Sequence, residues 1–422
     1  MQIKKFLFSA FALLFFAGSF SSCLRDECTT TQTFIRFDPV YKTPAQVRTG
    51  VSVEGPRTLK KPGKIYSLDH YLFINEFQEG IHIIDNADPS NPRNIAFWNI
   101  GGNVDMAIRG NYLYADQYVD LLTINIQDFN NPTLVCRQQN AFRLHGFNPI
   151  NGFLVDYVQT PVTETLDCAD PRFGQRWTRN ENGGFWISSD ANAGIQTAGP
   201  IRNAVSVTGV SGSYARFGLS GDFLYTIDNS TLRTWGVNGS CVSRLDSTVV
   251  GWNIETIFPW KDRLFIGSQT GVFIFNNSNP RRPVFEASFS HATGCDPVVC
   301  DEKNAYVTIH AGTTCQGTFN QLDIIDITRL PSATLQKTYA MKKPKGLALS
   351  GKYLYLCDDG LKVFDRSTPT DMKQLSHVKG VDTYDVIALD DTHLLVIGAD
   401  GFLQYDVTNP EKPKQISRIS VN

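Results

Sequence analysis

One phrase returns again and again along this chain. It consists of an apolar strand, a small turn, a second strand, an acidic or Gly turn, a third strand ending in Asp, and an Asn-Pro step. It first reads Tyr71-Leu72-Phe73-Ile74, then Gly80-Ile81-His82-Ile83-Ile84-Asp85, then Asp88-Pro89-Ser90-Asn91-Pro92. It ends as Leu394-Leu395-Val396-Ile397, Phe402-Leu403-Gln404-Tyr405-Asp406 and Asn409-Pro410. Anchoring each unit on its second strand gives Leu72, Leu113, Leu154, Leu224, Leu264, Tyr306, Leu354 and Leu394. The steps are 41, 41, 70, 40, 42, 48 and 40 residues. All but one match the ~40–50-residue period of a four-stranded propeller blade. The step of 70 is one unit plus an insertion, placed at 158–212.

A single unit of this kind cannot bury both faces of its sheet. Radial stacking covers the faces and leaves only short edges. The expected fold is all-β: a β-propeller of four-stranded blades over 62–422, with eight blades favoured and seven as the alternative. The third unit, from His145, is the least regular. In the last unit the strands are placed at Asp385–Leu389, His393–Ile397, Phe402–Val407 and Gln415–Ile419. Residues 34–61 form an N-terminal extension, within which 34–41 is a candidate strand for closing the ring. The 33 Gly and 20 Pro suit a turn-rich β protein better than a helical one.

The N-terminus supplies an address. Lys4 and Lys5 precede the apolar run Phe6 to Ala17, and small residues lead into Cys23, the layout of a secretory signal. The apolar run falls short of the roughly 20 residues that span a bilayer. Phe20-Ser21-Ser22-Cys23 resembles a bacterial lipobox. Residues 1–22 are then a signal peptide, Cys23 the lipid-bearing residue, and 23–33 a flexible tether. Acyl chains on Cys23, palmitate among them, contribute about 0.8 kcal/mol per buried CH₂ and make a durable anchor. The net charge of −2 provides no basic footprint, which excludes nucleic acid as a partner.

The repeated phrases resemble the LVIVD repeat family. The name-giving stretch is matched by Ile81-His82-Ile83-Ile84-Asp85, Leu322-Asp323-Ile324-Ile325-Asp326 and Leu361-Lys362-Val363-Phe364-Asp365. The resemblance covers 62–420 apart from 158–212. It implies a propeller and assigns no reaction. The lipobox is similar to the Bacteroidota type, and Arg25-Asp26-Glu27 is similar to the acidic stretch that accompanies export to the outer face. That resemblance implies an outer-membrane, surface-exposed lipoprotein. Asp246-Ser247-Thr248 resembles an O-glycosylation acceptor of the same group.

In a propeller the residues leading into the inner strands lie nearest the axis. Here they are Lys64, Asp105, His145, Arg216, Glu255, Asp296, Lys345 and Asp385. These are candidates for a polar ligand site at the axial face; equally, they are residues solvating a water-filled channel. The turns after the second strands are acidic: Glu76, Glu79, Asp116, Asp120, Asp228, Asp358, Asp359 and Asp400. A structural Ca²⁺ needs six to eight converging oxygens, and no loop has the density of a dedicated calcium loop. No cofactor is expected, with Ca²⁺ the one alternative. G-x-S-x-G, H-E-x-x-H and the P-loop are missing.

The insertion carries Arg172, Phe173, Arg176 and Trp177, types enriched at interface hot spots, and these are the candidate partner contacts. Nine cysteines leave eight once Cys23 is lipidated. The expected disulfides are Cys295 with Cys315 and Cys136 with Cys168, with Cys357 a buried free thiol. The leading expectation is a binding or scaffold module for a membrane protein complex or an external ligand. One alternative is a metal-assisted hydrolase or lyase at the axial mouth. Another is glycan or peptide capture by the rim aromatics Tyr118, Tyr214, Trp252 and Tyr384.

Overall fold

The computed structural model describes residues 29–143, 146–167, 169, 210–211, 213, 215–290, 297–311 and 319–421. The chain divides into two compact units. The larger comprises 41–155 and 185–422, the smaller 1–40 and 156–184.

Alternating apolar segments separated by turns form antiparallel meanders throughout the larger unit. Four-stranded blades occupy 62–99, 106–138, 217–249, 254–290, 298–340, 344–378 and 383–420, numbered I to VII below. The inner strand of blade II, Met106–Arg109, packs directly on that of blade III, Phe217–Ser220. Among the described residues eight sheets form. The third repeat is the exception to the four-stranded pattern. Its strand Gly152–Asp167 lies between Phe147–Asn148 and Thr29–Lys42 in a three-stranded sheet. In the smaller unit, Arg36 is ion-paired to Asp38, which accepts the Thr160 hydroxyl at 2.9 Å.

Blade VII shows how well alternation sets the strands. Its strands are Thr383–Ala388, His393–Gly398, Gly401–Asp406 and Lys414–Ser420, within one or two residues of expectation. In every blade except III, whose third strand ends at Gly236, an Asp or Asn closes the third strand and has a local task. Asp85, Asn125, Asn276, Asp326, Asp365 and Asp406 each accept the backbone N–H two residues on, at 2.8–3.0 Å. This Asx turn ends the strand. The following turn then offers a carbonyl to the preceding blade. Trp98 Nε1 donates to Phe129 O, Tyr225 Oη to Pro280 O, Tyr339 Oη to Pro369 O and Ser376 Oγ to Pro410 O. Gln404 Nε2 of blade VII donates to Pro89 O of blade I at 3.0 Å.

The core lies between blades. One cluster joins blades I, II and III through Trp98, Ile108, Phe217 and Trp235. Another joins blades I and VII through Ile65, Leu72, Leu395 and Phe402. The second cluster closes the ring, with a parallel bridge from Leu59 to Val421. The expectation that 34–41 closes the ring is corrected. Those residues belong to Thr29–Lys42, beside Gly152–Asp167. The strand that joins a blade is Ser52–Glu54, outside the fourth strand of blade I. Its short length matches the blade edge, whereas the long Thr-rich strand finds an equally long partner.

The pairing of Cys136 with Cys168 is also corrected. Cys136, on the outer strand of blade II, is bonded to Cys241, in the turn before the outer strand of blade III. Neighbouring blades bring their Cα atoms to 5.1 Å despite 105 residues between them. Cys168, Cys295 and Cys315 lie outside the described residues. Cys357 is a buried free thiol, as is Cys300. A bond closing a loop of this size stabilises by roughly 4–5 kcal/mol in the chain-entropy picture. The Cys136→Ser/Cys241→Ser double variant should therefore lose a few kcal/mol in denaturant unfolding, with an unchanged far-ultraviolet spectrum before the transition.

Candidate functional site

Of the axial candidates, Lys64, Asp105, Arg216, Glu255, Lys345 and Asp385 are described; His145 and Asp296 lie outside the described residues. Each of the six sits at the start of an inner strand. That placement follows from the repeat, because the connector must turn inward there. The chemistry they meet is mostly the chain's own.

Val210–Ser211 pairs with the inner strand of blade I, against Ser67 and Tyr66. Two residues on, Ser213 donates through Oγ to Asp385 Oδ1 at 3.1 Å and accepts Leu347 N at 3.0 Å. Arg216 N and Phe217 N then both donate to Asp105 Oδ2, the latter at 3.2 Å. The segment returning from the insertion thus touches the axial ends of blades I, II, VI and VII. The reading of these residues as lining a water-filled channel is corrected for this arc, because returning backbone occupies it.

Asp105 is 1% exposed, and its Oδ2 also accepts Lys64 Nζ at 2.9 Å. Burial outweighs that partner and pulls the Lys64 ammonium below its ordinary value. Asp385 is equally buried, and its carboxyl is pushed well above the usual range by desolvation. Gly346 is required beside it, since a Cβ there would overlap Asp385 Oδ1. Lys345 Nζ lies 3.0 Å from Asp382 Oδ1 and 4.4 Å from the Tyr384 ring centroid. Glu255 accepts Gln269 Nε2 at 2.8 Å, and burial pushes its carboxyl up to about 7.

The acidic turns turn out to be connector clamps, a role missed in the sequence. Glu76 accepts Lys60 N and Lys61 N. Asp116 Oδ1 accepts Val104 N at 2.8 Å and Asp105 N at 2.9 Å. Asp228 accepts Arg143 N, Asp358 accepts Lys342 N and Lys343 N, and Asp400 accepts Asp382 N. Except at Asp228, which meets the chain leaving blade II, the carboxylate holds the backbone entering its own blade's inner strand. Asp120 instead binds Arg48 and Arg137 at 3.0 and 3.1 Å. His82 bridges Glu76 Oε2 at 3.0 Å and Asn94 Nδ2 at 3.2 Å, so it is a satisfied polar residue of the blade. Carboxylates committed this way do not converge as a calcium ligand set, and among the described residues no group of three or more His, Cys, Asp or Glu is placed to hold a metal ion. The signal for the clamps was present: an acid closing the second strand, recurring at the same point of the unit.

Of the rim aromatics, Tyr384 is buried under Lys345, Tyr118 is half-buried against Gly102, and Trp252 is 79% exposed. Tyr214 lies outside the described residues, as do Cys23, Arg172, Phe173, Arg176 and Trp177. No described helix is long and apolar enough to cross a membrane.

The strand order and inter-blade core define a β-propeller protein. The chain carries LVIVD repeats: the LVIVD repeat model matches residues 100–139 and 343–379, which span blades II and VI. No curated protein matches the chain. Among solved structures it is similar to BamB from Moraxella catarrhalis, at 9% identity and TM-score 0.46, over 89% of this chain and 98% of that one. It is similar to Hsv2 from Kluyveromyces lactis, at 11% identity and TM-score 0.46, over 87% of this chain and all of that one. A third is PorZ, an essential surface component of the type-IX secretion system of Porphyromonas gingivalis. It shares 9% identity at TM-score 0.47, over 86% of this chain and 39% of that one.

Two outcomes follow from this geometry. Asp105→Asn leaves Lys64 buried without its counter-charge, and removing one partner of a buried pair costs about 3–5 kcal/mol. Chemical denaturation should show that loss, while Asp382→Asn, whose carboxylate is largely exposed, costs less than about 1 kcal/mol. Glu255 gives a pH signature. Its folded pKa exceeds the unfolded one, so the folded state binds the extra proton and stability falls as pH rises from about 4.5 to about 7. Glu255→Gln should flatten that part of the stability–pH curve by roughly 1–3 kcal/mol, measured by urea midpoints from pH 4 to 8.

Proposed function

We propose that this protein is an outer-membrane lipoprotein, acylated at Cys23 and surface-exposed, whose propeller is a non-catalytic binding or scaffold module. It would serve a membrane protein complex or an external ligand. The observation that carries the reading is the fate of the axial ionisable residues. Asp105, Lys64 and Asp385 are engaged by the chain's own backbone and side chains. They act as fasteners of a rigid ring. A rigid scaffold places function on its connecting loops, and an exposed Trp stands on one of them. The insertion residues Arg172, Phe173, Arg176 and Trp177 are the proposed protein contacts, on the strength of their residue types. The lipobox-like run and the polar tether support the anchor.

Membrane fractionation and affinity recovery test this together. Wild type should sediment with membranes and bring down a stoichiometric membrane protein from its own cells in mild detergent. Cys23→Ser should move the chain to the soluble fraction. Deleting 165–180 should release the partner while the thermal transition persists. Undiminished recovery of the partner after that deletion removes the insertion from the interface, and recovery of wild type alone counts against the scaffold reading.

A further inference from the structure

We propose that Trp252 and the hydrogen-bonded chain Asn253–Gln269–Glu255 beside it form a subsite for a pyranose ring of an oligosaccharide. This rests on the binding-module reading and names the ligand class for one point of the loop face.

The connector from blade III to blade IV is hydrogen-bonded on both sides of its tryptophan. Val250 N donates to Ser230 O and Ile254 N to Asn229 O, both at 2.9 Å. Gly251 has no room for a side chain, since a Cβ would come within 2.8 Å of the Phe273 ring. Asn253 sits in the left-handed region at φ 54°, uncommon outside glycine, and its carbonyl accepts Gln269 N at 3.2 Å. Between these fixed points Trp252 is 79% exposed, and Val249, three residues earlier at the end of the preceding strand, is 77% exposed. Exposing a large aromatic between bonded backbone positions, next to a residue at positive φ, preorganises it to meet something flat and apolar.

The groups beside it choose the ligand class. Asn253 Nδ2 donates to Gln269 Oε1 at 3.1 Å, and Gln269 Nε2 donates to Glu255 Oε1 at 2.8 Å. Among the described residues the other Glu255 oxygen has no partner. With its carboxyl held near 7, Glu255 is a donor as readily as an acceptor at neutral pH. Two amides and such a carboxyl carry little net charge and offer both hydrogen-bond senses. Sugar hydroxyls need that combination, while the C–H face of a pyranose covers an indole. A protein hot spot around Trp252 would instead call for an apolar surround that excludes water.

The test uses the full-length lipoprotein in a detergent without a sugar headgroup. Calorimetric titrations are run with four soluble hexasaccharides: β1,4-glucan, β1,4-linked N-acetylglucosamine, α1,4-glucan and α1,6-mannan. Wild type is expected to bind at least one of them. Trp252→Ala should weaken that binding about tenfold or more. Trp252→Phe should retain most of it, and Gln269→Ala should weaken it with the melting transition unchanged. Equal binding by wild type and Trp252→Ala overturns the proposal, as does no binding to any of the four. If no sugar binds but the membrane partner is still recovered, the subsite falls and the binding-module reading stands. If neither is recovered, both fall.

Discussion

The carboxylate of Asp105 is where the ring is held together across its most difficult seam. The chain completes blade II at Gln138 and begins blade III at Phe217, and the two must still pack as neighbours. Oδ2 of Asp105 meets Lys64 Nζ from blade I and two backbone N–H groups from the entry to blade III. A buried ion pair is a weak source of net stability, because desolvating both charges offsets most of their attraction. Its directionality is another matter. Apolar burial is non-directional, whereas one oxygen shared by an ammonium and two consecutive amides fixes where the returning strand begins. The lowered Lys64 pKa is the cost of that arrangement made visible.

Contacts around this point share the load. Phe142, where the chain departs, stacks on Phe217, where it returns, at 5.7 Å between centroids. Arg109 reaches from blade II to Asp222 and to Val237 O, and Gln138 Nε2 donates to Val242 O at 2.7 Å. The Cys136–Cys241 bond lies on the same seam. Other seams carry side-chain hydrogen bonds and ion pairs of their own, as with Tyr339 to Pro369 and Arg366 to Asp301 between blades V and VI, and Ser376 to Pro410 and Lys345 to Asp382 between blades VI and VII. The seam interrupted by a long excursion receives a stack, an ion pair, a covalent bond and a shared carboxylate. That distribution follows loop-closure entropy, which must be met where the intervening chain is longest.

Much of this was legible from the period alone. Alternation placed the strands of blade VII to within two residues, because half-buried strands with one face on each neighbouring blade leave little latitude. The closing Asp of most third strands and the Pro turn were visible as pattern, and the structure gives them local work as Asx turns and inter-blade acceptors. What was not legible depends on contacts between distant segments. Spacing favoured Cys168 as the mate of Cys136, yet neighbouring blades brought in Cys241 from 105 residues away. The alignment that found the inner-strand residues carried no sign that Ser213 and Arg216 would come back to occupy them. A repeat announces its own geometry; an insertion into it follows no period.

The same logic separates the axis from the rim. A carboxylate at the axial end of an inner strand is walled in by neighbouring blades and by the returning chain. Asp105 is satisfied by Lys64 and returning backbone, while desolvation pushes the Asp385 carboxyl well above the usual range even with Ser213 bonded to it. Such residues are spent on assembly. A connector between blades faces the opposite condition: its backbone is bonded at points along it while a side chain projects to solvent. Trp252 meets that condition, pinned on both sides and exposed. Glu255 lies between the two cases, buried enough to hold its proton near neutrality yet bonded through a single oxygen among the described residues. Blade IV is therefore where the axial polar ring and the exposed rim come together, and where hydrogen-bonding capacity not consumed by the fold remains.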